Sequence, residues 1–410
     1  PPMSSEFVVG LDLGTTAVSV LVGEFTADGE TRIVGAGRAA AGGVKKGVIV
    51  NMDEAAESVR EAVSQAERMA GVEIRGVCAS VSGPHVRSFS SRGVIALPAG
   101  RREVTVRDIE KVTEAARSIT LPFNQEIVHS LPQDFTVDSH AGIRDPIGMS
   151  AMRLEAEVHI VTALGMPLEN MIKVCKKTGL EVVDMVFDPF ASARAVLRRE
   201  ETDLGCLLVD VGGGVTSYAL YYGGTVRASG VVAAGGANVT NDLAVGLRTS
   251  AAVAEQLKLL HGVALTSLAG EDERIMVPAA GEREPREIRT QILAAIIEPR
   301  TEEIFTMVKR HVGADPYYRL LGAGIVLTGG GSRLRGMAEV AEEVFDLPVR
   351  LGCATNLMGL SELVDSAEWT TGIGLLLWGG DRIAGQGIGG PSDRVKWMFH
   401  RIKEMASLFS

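Results

Sequence analysis

Two stretches far apart in the chain follow one plan, and this repeat constrains the fold more than any other feature of the sequence. Residues 7–25 read FVVGLDLGTTAVSVLVGEF, and residues 205–224 read GCLLVDVGGGVTSYALYYGG. Each stretch has an apolar run with an Asp near its end, a glycine-containing turn with a Thr, and an apolar return run rich in strand-favouring residues. The spacing is far longer than the roughly 20–50 residues of a solenoid repeat. The sequence therefore predicts two related α/β halves.

Composition limits the class of protein. The chain has 410 residues, which at roughly 100–200 residues per domain predicts two to four domains. The net charge of −10 argues against a general nucleic-acid binder, because neutralising phosphates requires an excess of Lys and Arg. Four cysteines and seven histidines are scattered without metal-ligand or redox spacing, so we expect buried free thiols and no zinc site. No apolar run approaches about 18 residues, so we expect no transmembrane helix.

The pattern between and after the repeats indicates helices, an insert and a linker. A capping-box-like helix start at Asn51 is followed by an apolar stripe at helical spacing. Residues 82–157 contain several branched alternations and one helical pattern, over Val106–Arg117, so we expect a small α+β insert in the first half. A long helical pattern over 286–312 is interrupted by a proline. From residue 381 the sequence is rich in Gly and polar residues, which predicts a flexible linker at 381–392.

The two repeated turns suit the binding of a polyphosphate. Backbone N–H groups must approach phosphate oxygens closely, and glycine lacks the Cβ that would block them. In this hypothesis the turns face one another around the β- and γ-phosphates of a nucleotide. The two Asp carboxylates then point at a hydrated Mg²⁺, which favours carboxylate contact through water. The candidate residues are Asp12, Gly14, Thr15 and Thr16 in the first stretch and Asp210, Gly212, Gly213, Gly214 and Thr216 in the second.

A third glycine-rich turn, TGGGSRLRG, follows another apolar run at 328–336. Such a turn lets a flat adenine or ribose lie against the backbone, with the α-phosphate near a helix N-terminus. Its candidate residues are Gly329, Gly330, Gly331 and Ser332. The alternative is three unrelated glycine turns, which suits any one turn alone better than three in this order with two matching Asp residues. The chain has neither GxxxxGKS/T nor a GxGxxG after its first strand, so we exclude a P-loop and do not expect a Rossmann site.

The order of DLGTT, DVGGG and TGGGS resembles that of the actin, Hsp70 and sugar-kinase superfamily, and the chain most resembles the FtsA family of actin-like bacterial cell-division proteins. The resemblance runs from GLDLGTTAVSVLVGE through GGANVTNDLA and IIEPRTEEIF to GIVLTGGGSRLRG and a terminal amphipathic helix. It implies an α/β fold of the actin-like, ribonuclease H-like duplicated type. Two lobes would surround a nucleotide cleft that binds ATP and Mg²⁺, with an inserted small α+β subdomain and a C-terminal amphipathic helix.

The resemblance also implies four subdomains, a linker and a tail. The expected boundaries are 1–81 and 158–200 for the first actin-like subdomain, 82–157 for the inserted family-specific subdomain, 201–235 and 313–380 for the second actin-like core subdomain, 236–312 for the outer subdomain of the second lobe, 381–392 for the flexible linker and 393–410 for the amphipathic helix. The insert would contact other protomers and later division proteins.

Further residues are assigned to the nucleotide by the resemblance. Glu255 and Lys258 match family positions that face the nucleoside, and Gly236 lies in the matching stretch GGANVTNDLA. Without the resemblance, Glu255 and Lys258 would be interpreted as a solvated ion pair one helical turn apart. Ala17 departs from the family pattern, because relatives often place there a Lys that reaches the phosphates. We therefore expect weak or slow ATP hydrolysis, for which no general base is identified beyond the candidate Asp188.

The last segment, DRVKWMFHRIKEMASLFS at 393–410, predicts an amphipathic helix with four basic and two acidic side chains. Such a helix on a glycine-rich tether is typical of an interfacial membrane anchor, and the alternative is a helix docked on its own core or on a partner. The candidate membrane-contacting residues are Val395, Trp397, Met398, Phe399, Ile402, Met405 and Phe409. One tail should bind an anionic inner-membrane surface reversibly and several on one polymer much more tightly, so we expect polymerisation and attachment to be coupled.

The function implied by the resemblance is cell division. The chain would polymerise, tether FtsZ filaments to the cytoplasmic face of the cell membrane at the septum, and recruit later division proteins. IIEPR matches the family stretch that meets the C-terminal tail of FtsZ, where Arg300, with Arg289, would contact acidic groups; the alternative for each Arg is a solvated helix face. Two other functions are considered, a PilM-like pilus-assembly scaffold and a sugar or small-acid kinase of the same superfamily. A kinase would need a catalytic Asp in the first half, and this sequence shows no convincing one. The detached tail argues against the pilus scaffold.

Overall fold

A computed structural model describes residues 6–25, 31–98, 103–122, 124–270, 272–278, 285–354, 358–359 and 366–383. The strands in these residues are β1 (Glu6–Leu13), β2 (Ala17–Phe25), β3 (Thr31–Ala40), β4 (Val44–Lys45), β5 (Val48–Ile49), β6 (Gly76–Val81), β7 (Val86–Ala96), β8 (Gln125–Val137), β9 (His140–Ile143), β10 (Arg153–Leu164), β11 (Glu181–Phe187), β12 (Cys206–Val211), β13 (Thr216–Tyr222), β14 (Thr225–Val232), β15 (Arg274–Val277), β16 (Arg286–Arg289), β17 (Ile325–Thr328), β18 (Val349–Leu351) and β19 (Met358–Gly359). The α-helices are α1 (Met52–Ala70), α2 (Val106–Arg117), α3 (Gly165–Lys177), α4 (Asp188–Val196), α5 (Arg199–Leu204), α6 (Gly236–Leu247), α7 (Ala251–His261), α8 (Thr290–Val312), α9 (Met337–Phe345) and α10 (Thr370–Ile383).

The two largest sheets repeat one topology. The first has the order β11-β6-β1-β2-β3-β19 and the second β14-β13-β12-β17-β18. In each, the repeated stretch forms the central antiparallel hairpin, β1-β2 or β12-β13, followed by a third antiparallel strand, β3 or β14. The remaining strands are parallel and reached by longer crossovers, as parallel pairing requires. The predicted duplication into two α/β halves is confirmed.

Helix α1 packs closely on one face of the first sheet. Its start is the predicted one, because the Asn51 side chain accepts hydrogen bonds from the backbone N–H groups of Asp53 and Glu54. The helix then buries its alanine and valine stripe against β1, β2 and β3. Its close approach depends on Gly37 of β3, where a Cβ would lie 1.9 Å from the carbonyl oxygen of Ala62.

Helices α4 and α10 lie together between the two sheets. Their apolar side chains join residues of β1, β2, β12 and β17 in one buried cluster. The two helices touch at Gly374, where a Cβ would lie 1.8 Å from the carbonyl oxygen of Ala191. This contact allows both helices to reach the ends of the central strands of both sheets.

The predicted α+β insert is a separate layer. Its sheet has the order β7-β10-β8-β9, and α2 packs on it over Val106–Arg117, which confirms the helix predicted there. The insert also contacts the second half through β14. Gln133 Nε2 donates to the carbonyl oxygen of Val226 over 2.7 Å, and Asp134 pairs with the buried guanidinium of Arg227. The insert therefore contacts both halves of the fold.

The beginning of α8 differs from the expectation. Residues 286–289 form β16, paired with β15, so Arg289 lies on a strand and the helix begins at Thr290. The predicted interruption is also wrong, because α8 continues through Pro299. Neighbouring hydrophobic contacts hold this helix against the core of the second half, which compensates for the backbone donor that proline lacks.

The end of α10 also differs from the expectation. Residues 381–383 form its last turn instead of the start of the linker, and Asp381 is held by the Arg194 guanidinium of α4 over 2.8 Å. The rest of the predicted linker and the predicted tail helix at 393–410 lie outside the described residues. Within the described ranges, no helix is both long and apolar enough to cross a membrane.

Replacing Gly374 by Ala tests the contact between α4 and α10. We expect the Gly374→Ala variant to lose about 3 kcal/mol of unfolding free energy, because the new methyl group would overlap a backbone atom that cannot rotate away. The matched control is Gly372→Ala on the same helix, where a Cβ would lie 3.1 Å from the Leu21 side chain. We expect that control to stay within about 1 kcal/mol of wild type. Thermal and urea unfolding followed by circular dichroism measure both, and equal effects would contradict a tight contact at Gly374.

Candidate functional site

The two repeated turns are closed by the same hydrogen bond. The Gly14 N–H donates to the carbonyl oxygen of Ala17, and the Gly212 N–H donates to that of Val215, each over 3.0 Å. The bond leaves the N–H groups between these residues outside the hairpin ladder. Both hairpins therefore present backbone donors at their tips, as a phosphate-binding turn requires.

The two turns also lie against each other. A Cβ on Gly213 would lie 2.5 Å from Cγ2 of Thr16, and a Cβ on Gly214 would lie 2.5 Å from Oγ1 of Thr15. Any side chain on these two glycines would separate the turns. The structure thus brings together the two turns that the sequence predicted to face one another.

The two acidic strand ends occupy equivalent positions. Asp12 lies opposite Ser19 of β2, and Asp210 lies opposite Ser217 of β13. The carboxylates are held by neighbouring hydroxyl groups in different ways. Ser80 Oγ of β6 donates to Asp12 over 2.7 Å. Asp210 accepts from a serine of α4 over 2.5 Å and from a threonine of α10 over 3.3 Å, so the central helices orient it.

Burial raises the pKa of three carboxyl groups at this cleft. The pKa of Asp210 rises to about 6, mainly because the group is buried and also because the Asp12 charge is near. The pKa of Asp12 rises for the first of these reasons, against the lowering effect of its Ser80 hydrogen bond and of the Arg38 charge. The pKa of Asp188, at the start of α4, rises well above its usual value because of burial and the charges of Asp12 and Asp210. The Arg38 charge thus compensates this group of three buried acids only in part.

The donor set at this point fits a hydrated divalent cation. Carboxylate oxygens are the ligands that Mg²⁺ prefers, and a cation would supply the missing positive charge. The Oδ1 atom of Asp188 is buried without a hydrogen-bond partner among the described residues. No cluster of three or more His, Cys, Asp or Glu in the described ranges could hold a metal ion directly.

A larger cavity of about 790 Å³ opens beside the acidic one, which measures about 110 Å³. Lys258 of α7 lines the larger cavity and is only 13% exposed. Its Nζ donates to Glu255 Oε2 over 2.8 Å, to Thr240 Oγ1 over 2.9 Å and to the Gly236 carbonyl over 3.1 Å. The Glu255–Lys258 pair is therefore not the freely solvated pair that its spacing alone suggests. The Gly236 N–H donates to the carbonyl oxygen of Gly212 over 2.9 Å, so a hydrogen bond joins the start of α6 to the second turn at the edge of this cavity.

The third glycine turn lies between the two cavities. Gly329 has φ +84°, and a Cβ there would lie 2.2 Å from Oδ1 of Asp210, so only glycine fits. Gly330 lines both cavities and Gly331 lines the larger one. All three predicted turns thus border two adjoining cavities that share lining residues.

Two side chains predicted for the site do not reach it. Thr216 is fully buried, and its Oγ1 donates to the carbonyl oxygen of Ala234 over 2.8 Å. Ser332 is also buried, and its Oγ donates to the Gly329 carbonyl over 2.7 Å. Neither residue lines either cavity. Each buried hydroxyl satisfies a backbone carbonyl group, that of Ala234 for Thr216 and that of Gly329 for Ser332.

Two charged residues that the sequence did not single out line both cavities. They are Arg38 of β3 and Glu368, just before α10. Their side chains pair with each other, and Glu368 also pairs with Arg333 over 3.0 Å. No motif marks these residues, because their position in the cleft depends on strand register and on the packing of α10.

The arginines predicted to bind a partner occupy different settings. Arg300 of α8 is 29% exposed and already paired, with Nε donating to Asp242 over 2.5 Å and a second ion pair to Glu303. Arg289 is exposed at the end of β16. Arg300 is thus not on a freely solvated helix face. The candidate membrane-contacting residues all belong to 393–410 and lie outside the described residues.

Two protein-family models match this chain. The model described as cell division protein FtsA matches residues 207–374. The model described as the SHS2 domain inserted in FtsA matches residues 83–162, which includes most of the four-stranded insert.

Cell division proteins FtsA of several bacteria are similar over most of the chain. That of Pseudomonas aeruginosa is 43% identical over 376 residues, which cover 92% of this chain and 90% of the relative. That of Neisseria meningitidis is 40% identical over 371 residues, 90% of this chain and 89% of the relative. That of Escherichia coli K12 is 36% identical over 381 residues, 91% of this chain and 90% of the relative.

Solved structures with the same fold are more distant in sequence. The PilM–PilN type IV pilus biogenesis complex matches with a TM-score of 0.64 at 18% identity, over 91% of this chain and 98% of the other. MreB5 of Spiroplasma citri bound to ADP matches with a TM-score of 0.55 at 15% identity, over 92% of this chain and 98% of the other. At these identities the likeness shows the fold alone, and it confirms the predicted actin-like fold.

The raised pKa of Asp210 predicts a pH-dependent stability. Protonated Asp210 is favoured in the folded chain, so its stabilising contribution is full below its ordinary pKa of 3.8 and is lost as pH rises through about 6. Asp210→Asn cannot ionise. We therefore expect it to be more stable than wild type above about pH 7, by up to about 3 kcal/mol, with the difference vanishing near pH 4.

Thermal unfolding across this pH range, with a chelator and without nucleotide, measures the effect. Asp346→Asn is the control, because Asp346 is exposed and its left-handed backbone, with φ +57°, tolerates Asn. A pH-independent difference between Asp210→Asn and wild type would contradict the role assigned to the buried charge.

Proposed function

Because the chain belongs to the FtsA family of actin-like cell-division proteins, we propose that it binds ATP with Mg²⁺ in its cleft, polymerises, and tethers FtsZ filaments to the cytoplasmic face of the membrane at the septum. One observation carries the nucleotide part of this proposal. The two repeated turns, their Asp residues and the Glu255–Lys258 pair border two adjoining cavities that share lining residues. MreB5 of Spiroplasma citri, which shares the fold, has been solved with ADP and with AMPPNP.

The cleft offers separate contacts for each part of the nucleotide. Backbone N–H groups of the two hairpin turns would hold the β- and γ-phosphates, and Asp12 and Asp210 would hold hydrated Mg²⁺. When bound, Mg²⁺ would neutralise phosphate charge. The adenosine would occupy the larger cavity, beside Lys258 and Glu255 and against the third glycine turn.

Hydrolysis in this cleft would be slow. Asp188 is the candidate general base, but burial and the neighbouring carboxylates raise its pKa and so disfavour the ionised carboxylate that a base requires. Ala17 also removes the cation that relatives often place at the phosphates. A cleft that retains ATP suits a scaffold whose assembly depends on the bound nucleotide better than a rapid enzyme.

Partner and membrane contacts would use other parts of the chain. The acidic C-terminal tail of FtsZ would meet Arg289 and Arg300, and Arg300 would be shared between that peptide and Asp242. The insert would contact neighbouring protomers and later division proteins. The amphipathic segment at 393–410 would insert its apolar side into the anionic inner membrane, and one polymer would bring many such tails to the surface. The polymer would therefore bind far more tightly than one protomer.

The alternatives receive less support. The likeness to PilM concerns the fold alone, whereas the FtsA relatives are 36–43% identical over about nine-tenths of the chain. No observation in the described cleft favours a sugar or small-acid substrate. We therefore do not propose a pilus scaffold or a metabolite kinase.

Lys258→Ala tests the nucleotide part of the proposal. Removing a largely buried ammonium group that borders the nucleoside cavity should weaken ATP binding by about tenfold or more. Lys173→Ala is the matched control, because Lys173 forms a similar helical ion pair, with Glu169, but is 57% exposed and lines neither cavity. Titration of a fluorescent ATP analogue with Mg²⁺ measures both affinities. Equal affinity of Lys258→Ala and wild type would contradict the assignment of the larger cavity to the nucleoside.

Vesicle flotation tests the tethering function. Wild type should carry FtsZ filaments to vesicles that contain phosphatidylglycerol, whereas Phe399→Glu with Ile402→Glu should leave both proteins in solution, because two charges then face the lipid. The control, His400→Glu with Ser407→Glu, adds the same charge on the opposite side of the helix and should lose much less binding. If wild type floats with the vesicles while FtsZ stays in solution, tethering is refuted. If the double variant still floats, the role of the tail as membrane anchor is refuted.

A further inference from the structure

The smaller cavity, where the phosphates would lie, is short of positive charge. Five charged side chains line it among the described residues, four acidic and one basic: Asp12, Asp188, Asp210, Glu368 and Arg38. A nucleotide polyphosphate adds further negative charge to this cavity. Mg²⁺ near the Asp residues offsets part of it, and Arg38 is the cationic side chain of the described lining that could offset more.

Strand register explains how Arg38 reaches the cavity. Asp12 of β1 pairs with Ser19 of β2, and Ser19 pairs with Arg38 of β3, so the three residues form one row across the sheet. Paired residues on neighbouring strands project to the same face, and here that face carries the phosphate cavity. Ala17 pairs with Ala40, two residues beyond Arg38, so Arg38 is the diagonal cross-strand neighbour of Ala17. Diagonal neighbours lie within reach of a long side chain, at roughly 7–8 Å.

The present partners of Arg38 leave it able to move. Its side chain is 41% exposed, its guanidinium pairs with Glu368, and the same group lies 5.9 Å from the ring centroid of Trp369. Glu368 does not depend on this pair alone, since it also pairs with Arg333 over 3.0 Å and accepts from Ser366 Oγ over 3.3 Å. Arg38 can therefore leave Glu368 without stranding an unpaired carboxylate.

The position of Arg38 between the two cavities indicates what it would bind. Arg38 lines both the phosphate cavity and the nucleoside cavity, so a nucleotide that spans them must pass its guanidinium. A guanidinium donates two parallel hydrogen bonds to a phosphate as readily as to a carboxylate. A phosphate entering the cleft would therefore compete directly with Glu368 for Arg38.

We propose that Arg38 is the phosphate-binding cation of this chain, exchanging Glu368 for the phosphates of the bound nucleotide and supplying from β3 the charge that Ala17 does not supply from β2. This inference rests on the proposed nucleotide function and identifies the residue that recognises the charged part of the ligand. Glu368, retained by Arg333, positions Arg38 while the cleft holds no phosphate.

Binding of ATP, ADP and adenosine to wild type and to Arg38→Ala tests the proposal. Arg38→Ala should weaken ATP and ADP binding by about tenfold to a hundredfold, the range for charge-assisted hydrogen bonds, and leave adenosine binding unchanged. Arg32→Ala, on the same strand but outside both cavities, is the control and should match wild type for all three ligands. Displacement of a fluorescent ADP analogue in the presence of Mg²⁺ measures each affinity.

The possible outcomes distinguish the two proposals. If wild type binds none of the three ligands, the proposed nucleotide function fails, and this inference fails with it. If wild type binds ATP and Arg38→Ala binds it equally well, or loses adenosine to the same degree as ATP, only the role of Arg38 is refuted. Thermal unfolding of each variant without ligand identifies a loss of fold, which would affect adenosine as well.

Two further variants test the exchange itself. Adding Ala17→Lys to Arg38→Ala should restore ATP and ADP affinity by about tenfold, because the new ammonium group enters the same cavity from the neighbouring strand. Glu368→Gln should tighten ATP binding severalfold, since it removes both a negative charge and the competitor for Arg38. Failure of the first rescue, or weaker ATP binding in Glu368→Gln, would refute the exchange.

Discussion

The close contact of α4 with α10 is the constraint on which the cleft depends. Gly374 lets the two helices touch at Ala191, in the layer between the two sheets. From there Ser192 of α4 and Thr371 of α10 both donate to Asp210. The helix contact therefore fixes the orientation of Asp210, one of the two acidic strand ends that line the smaller cavity.

The cleft floor combines this packing with an unfavourable charge distribution. Burial raises the pKa of Asp12, Asp188 and Asp210. The charge of Asp12 also raises the pKa of the other two carboxyl groups. Such a group of acids costs folding free energy at neutral pH unless a cation compensates it. The same arrangement favours a ligand that brings Mg²⁺. If the cleft binds nucleotide with Mg²⁺ as proposed, the stability of the fold and the occupancy of the cleft would be linked through these carboxyl groups.

Much of the fold followed from local sequence. The repeated hairpins, the helix over Val106–Arg117 and the Asn51 helix start were all predicted, because hydrophobic period, turn residues and caps act within a few positions of one another. Predictions failed where a distant contact overrides the local pattern. Residues 286–289 join a strand pair instead of α8, and 381–383 extend α10 because Asp381 meets Arg194. The hydroxyl groups of Thr216 and Ser332 bond to backbone carbonyl groups, which residue type alone did not show.

The sequence by itself determined the duplicated topology, the three glycine turns and the two matching Asp residues. These features depend on residue type at fixed local spacing: glycine where a backbone must be approached, and an acid where a strand ends. Only the tertiary structure decided that two further charged side chains share the cleft. Arg38 and Glu368 come from a third strand and from the segment before α10, and no spacing in the chain links them. Electrostatic interactions act through space, so their partners are set by strand register and helix packing.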